Sequence, residues 1–95
     1  MDIAESLLRT GRSDIVLVSL LKSVIIDVFH QHKNIDISED ILSVKKTSKY
    51  FVITTHSPLI NTEIRELEGQ IKNIFWEKLE NIGMGDIGEV KLRYH

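Results

Sequence analysis

The chain has 95 residues, which is one domain's length and enough for one modest core. Its 42% hydrophobic and 27% charged content is ordinary for a globular chain and argues against disorder. A net charge of −2 excludes a globally basic, histone-like mode of nucleic-acid binding but leaves room for a local basic patch. Cysteine is absent, which removes disulfides, thiolate metal sites and cysteine catalysis from consideration. Asp2 and Glu5 stand where a signal peptide would be positive. The longest apolar stretch, Ile15 to Phe29, is interrupted by Lys22 and Asp27 and is short for a bilayer span. The expectation is a cytoplasmic protein without a membrane segment.

Residues 1–12 carry Ile3, Leu7 and Leu8 at helical spacing before Gly11, a pattern that suits a frayed helix or a docked arm. Ser13 and Asp14 are good N-cap residues, and a long apolar-periodic segment follows. Leu17, Leu20, Leu21, Val24, Val28 and Phe29 line one face, and Ile15, Val16, Val18, Ile25 and Ile26 widen it. A helix this apolar is either deeply buried or shared with a partner, so a homodimer through this first helix is one expectation. The helix should fade near His32 to Asn34.

The next stretch is polar, with Ile35 and Ile37 as candidate anchors. Ile41 to Lys46 and Tyr50 to His56 then read as two strands, joined across Thr47, Ser48 and Lys49 as a hairpin. In the second strand Tyr50, Val52 and Thr54 face one way and Phe51, Ile53 and Thr55 the other. Ser57-Pro58 is a helix start: serine offers a side-chain acceptor, and proline at the first position has no N–H to leave unpaired. Ile60, Ile64, Leu67, Ile71, Ile74, Phe75, Leu79 and Ile82 continue at spacings of three and four. This stripe is one long helix or two helices bent at Gly69. Glycines around Met84 stop it, and Gly88 to His95 alternates as a strand with Val90, Leu92 and Tyr94 on one face. The whole reads as a single α+β domain over residues 1–95. Its order is α-β-β-α-β, a three-stranded sheet backed by two long helices.

From Val44 onward the chain resembles a known family. The segments are Lys45-Lys46-Thr47-Ser48-Lys49-Tyr50-Phe51-Val52-Ile53-Thr54-Thr55, Ser57-Pro58-Leu59, Glu63-Ile64-Arg65-Glu66-Leu67 and Val90-Lys91-Leu92-Arg93-Tyr94. Together they are similar to the DciA-type family of bacterial replicative-helicase loaders. The family pattern has a basic first strand, a hairpin, a Ser/Pro helix start with a Glu-Leu pair, and a short closing strand. The resemblance implies a K-homology-like fold. It also implies a non-catalytic module that meets the replicative helicase, DNA or both during DNA replication.

The residues suggest chemistry of their own. Lys45, Lys46 and Lys49 cluster at the hairpin, and Lys91 and Arg93 lie on the solvated face of the last strand. Adjacent strands would make these one basic stripe for nucleic-acid phosphates, with Tyr50 and Tyr94 as stacking surfaces. The competing reading is a solvated sheet face whose edge lysines discourage aggregation. Trp76, one position beyond the Ile74/Phe75 ridge, is a core residue or a partner anchor. Gly85-Asp86-Ile87-Gly88 has the form of a Gly-x-x-Gly clamp, but it precedes a strand and carries an acid that repels phosphate. His30 and His32, two apart on a helix, do not face each other and make poor metal co-ligands. Ser57 beside His56 lacks the elbow glycines of a nucleophile and is read as a cap. No phosphate loop or dinucleotide fingerprint is present, so the sequence points to a binding module without cofactor or metal, not an enzyme. The alternative to the replication reading is a protein-binding or self-associating domain with no nucleic-acid role.

Overall fold

The computed structural model describes residues 13–47, 50–84 and 90–95. Within them the order is α1 (Ser13–Lys33), β1 (Ile41–Lys46), β2 (Phe51–Thr55), α2 (Pro58–Glu66), α3 (Glu68–Asn81) and β3 (Leu92–Tyr94). The protein is an α+β fold whose three strands lie in the order β1-β2-β3. β1 pairs antiparallel with β2, and β2 pairs parallel with β3, so α2 and α3 form the crossover that parallel neighbours require. The expected arm at residues 1–12, and the Gly-x-x-Gly of residues 85–88, lie outside the described residues.

α1 ends as its sequence suggests. His30, His32 and Lys33 sit in its last turn, where the charge of Lys33 complements the exposed carbonyls. Asn34 follows at φ 55, the left-handed position that asparagine tolerates, and its N–H donates to His30 O at 3.0 Å. Of the two candidate anchors in the next loop, Ile37 is fully buried and Ile35 is exposed. Leu17, Leu21, Val24, Ile25, Val28 and Phe29 are all buried. By length and composition Asp14–Lys33 is long and apolar enough to cross a membrane, so the expectation that the stretch falls short does not hold. In this fold much of its apolar width faces the sheet and α3, because α1 packs against β1 and α3 at once, while Ile15 and Val16 in its first turn are exposed.

The helix after Ser57 begins at Pro58. Ser57 takes the cap position, but its hydroxyl makes no capping bond; its carbonyl accepts the first helical hydrogen bond, from the Asn61 N–H at 3.2 Å. The long stripe is two helices, and the break falls at Leu67, not at Gly69. Leu67 has φ −97 and ψ 6, and its N–H turns back to Ile64 O at 3.0 Å. The side chain stays in the core, so the apolar stripe runs through the bend. The cause is support from two directions: α2 lies on β2, whereas α3 lies on α1. α3 closes with a Schellman motif, in which Met84 N–H reaches Leu79 O at 2.8 Å and Gly83 N–H reaches Glu80 O at 3.1 Å. Gly83 supplies the required positive φ of 76.

The core joins the inner face of the sheet to this helical layer. Val44, Phe51, Ile53 and Val90 meet Ile64, Ile71, Phe75 and Leu79. Phe51 and Phe75 pack edge to face, with centroids 5.6 Å apart. At one end of the sheet, Thr55 is the buried polar residue among those described. Its hydroxyl lies 2.7 Å from Asn61 Oδ1 and 2.9 Å from Ser57 O, and it accepts the Ser57 N–H at 3.3 Å. Asn61 Nδ2 donates to His95 O at 3.0 Å, so one side chain on α2 ties the ends of β2 and β3 together.

Candidate nucleic-acid interface

The register decides which basic residues share a surface. Lys45 pairs with Val52, and Val52 pairs with Arg93, so the three stand in one row across the sheet. The neighbouring rows hold Val44–Ile53–Tyr94 and Lys46–Phe51–Leu92. Phe51 and Ile53 are buried, which assigns those rows to the helix-covered side and the Lys45 row to the open side. Tyr50 and Thr54 join Val52 on the open side by the same alternation, and Ser43 pairs with Thr54.

Lys45 and Arg93 are exposed there, and Lys45 makes no ion pair among the described residues. The Arg93 guanidinium lies over the Tyr50 ring, 4.5 Å from its centroid. This contact holds the two side chains against each other and is worth roughly 0.5–1 kcal/mol at an exposed site. Lys91 is exposed, shares the Arg93 face by strand alternation, and accepts the Phe51 N–H through its carbonyl at 2.8 Å. Lys49 lies outside the described residues.

Two expected members belong elsewhere. Lys46 turns to the helical side, where its Nζ lies 3.9 Å from Asp14 and 3.4 Å from Thr47 O. Successive residues of a strand point to opposite faces, so Lys45 and Lys46 cannot form one stripe. Tyr94 pairs with Ile53 and therefore faces the helices. Its hydroxyl donates to Glu68 at 2.8 Å, and the Arg65 guanidinium lies 5.1 Å from its ring centroid. Burial pushes the Tyr94 hydroxyl well above its usual range. The bond to Glu68 and that carboxylate's charge add to the effect, and Arg65 offsets part of it. Tyr94 is thus a bolt between β3 and the helix pair, leaving Tyr50 as the aromatic of the open face. Trp76 is half-buried and packs against the core.

The other candidates occupy separate places. His30 and His32 are exposed on the last turn of α1, while the His56 Nε2 sits 2.7 Å from Asp40. Among the described residues no group of three or more His, Cys, Asp or Glu is placed to hold a metal ion. Between α2 and α3 the chain reads Glu66-Leu67-Glu68-Gly69. That junction is acidic and has no glycine pair.

No protein-family model, no curated protein and no solved structure matches this chain.

Proposed function

We propose that the protein is a non-catalytic binding module that takes nucleic-acid phosphates on the open face of its sheet. The observation behind this reading is the Lys45–Val52–Arg93 row, with Arg93 laid over Tyr50. Cations at both ends of the row neutralise successive phosphates, and the Tyr50–Arg93 pair gives a base a surface to stack on. Nothing on this face is shaped to read base edges, so the binding is weak, salt-sensitive and tolerant of sequence. The Tyr50–Arg93 pair suits single strands, whose bases are free to turn toward it. A role beside a replicative helicase rests on the resemblance to DciA-type loaders alone.

The test is fluorescence anisotropy with a labelled oligothymidylate at low salt. Binding that weakens steeply with salt and is abolished in a Lys45→Glu/Arg93→Glu variant supports the reading. No binding, or equal binding after charge reversal, leaves the face as a solvated surface.

A further inference from the structure

A second surface lies at the opposite side of β1, and it carries a different chemistry. β1 is an edge strand. Thr47 N–H donates to Tyr50 O at 2.8 Å, which sets the phase of the antiparallel ladder. Counting back by twos, Lys45/Val52 and Ser43/Thr54 exchange hydrogen bonds. The N–H and C=O groups of Val44 and Lys46 therefore point away from β2. Among the described residues no other backbone segment pairs with them. Beside this free edge runs a groove of about 430 Å³ between β1 and the first turns of α1. Ile15, Val18 and Val44 give it an apolar lining, and Asp14 and Lys46 border it. Ile15 is 66% exposed, a large apolar side chain left in water within the groove.

We propose that this edge and groove bind an extended peptide strand of alternating apolar and acidic residues, supplied by a partner protein. A strand laid along β1 completes the hydrogen bonds of Val44 and Lys46. Its residue beside Val44 points to the helix-covered side and enters the apolar groove. Its residue beside Lys45 emerges on the open face, where Lys45 is a cation without an acidic partner among the described residues. Apolar beside Val44 and acidic beside Lys45 is the alternation that matches this edge.

The same edge is unsuited to a second copy of itself. Antiparallel self-pairing through Val44 and Lys46 places Lys45 directly opposite Lys45 of the other copy, and like charges in that position are destabilising. Sliding by one residue to centre on Val44 draws in the irregular stretch between Ile41 and Ser43, where the register shifts. Edge lysines and a bulge are common guards against self-association, and here they leave a differently charged strand as the fitting occupant.

The test uses the full chain and a capped, fluorescein-labelled octapeptide alternating valine and glutamate. Two controls are the valine–lysine octapeptide and the valine–glutamate octapeptide with alternate amides N-methylated. Anisotropy should show binding to the first, weaker by about tenfold or more for each control. Ile15→Asp should weaken it by a similar factor, and Lys45→Glu should transfer the preference to the valine–lysine peptide. Hydrogen exchange at the Val44 and Lys46 amides should slow when the peptide binds. Absence of binding, or equal binding of the N-methylated peptide, overturns the proposal. So does finding the Val44 and Lys46 amides already protected in the free chain. A dimer in sedimentation that Ile15→Asp dissolves would assign the surface to a second copy and overturn it as well.

Discussion

Lys45 and Lys46 are neighbours of equal charge, yet the fold predicts that they contribute differently to nucleic-acid binding. Lys45 stands on the open face with Lys91 and Arg93, whereas Lys46 turns toward Asp14 on α1. Each phosphate neutralised on a single strand adds about −0.7 to the slope of log affinity against log salt. Three cations on the open face give a slope of about −2, so raising salt from about 50 to about 200 mM costs roughly twentyfold in affinity. Lys45→Ala reduces the slope to about −1.4, and the same salt step then costs roughly sevenfold. Lys46→Ala makes the same change in net charge but should leave the slope near −2. Both side chains are partly or largely in water, and an exposed ion pair such as Lys46–Asp14 contributes little, about 0–1 kcal/mol, so neither variant should unfold. Anisotropy titrations at four or five salt concentrations measure the slopes. Equal slopes for the two variants would refute the assignment of faces, because net charge alone would then explain the binding.

Stability offers further checks. Ile71→Ala and Phe75→Ala, at fully buried positions, should cost about 2–5 and about 3–5 kcal/mol in urea unfolding, and an unchanged midpoint for either would contradict the described core. Thr55→Val removes a buried hydroxyl bonded to Asn61 and should cost about 1–3 kcal/mol; a double-mutant cycle with Asn61→Ala should return a coupling above about 0.5 kcal/mol. Tyr94 has a raised pKa in the folded state. The unfolded chain therefore loses that proton first as pH rises above 10, and stability falls there while being fully present below it. Tyr94→Phe should flatten the decline between about pH 10 and 12 in urea titrations, and a slope equal to that of the parent chain would show that the buried, Glu68-bonded Tyr94 hydroxyl does not drive it.

Much of this was legible in the sequence, and for local reasons. The Ser57-Pro58 start, the end of α1 at Lys33 and the limits of β1 follow from backbone chemistry that neighbouring residues carry themselves. The alternation of β2 separated Tyr50, Val52 and Thr54 from Phe51 and Ile53. The same alternation already places Lys45 and Lys46 on opposite faces, and Tyr94 apart from Lys91 and Arg93. Charge clustering along the chain masks that separation, since it counts residues without regard to their direction.

The tertiary structure decided the rest. Intrinsic propensity points to Gly69 as the bend, but the chain bends at Leu67, where support passes from β2 to α1 and the side chain remains buried. Ser57 holds the cap position without a hydroxyl capping bond, and its N–H and carbonyl are both tied to the buried Thr55 hydroxyl instead. The parallel pairing of β2 with β3 sets Val52 beside Arg93 and Ile53 beside Tyr94. That register brings Arg93 over Tyr50 and sends Tyr94 to Glu68, two outcomes that depend on residues more than twenty-five positions apart. Hydrophobic periodicity records which face of an element is apolar; only packing selects the element that covers it and the face left open to a ligand.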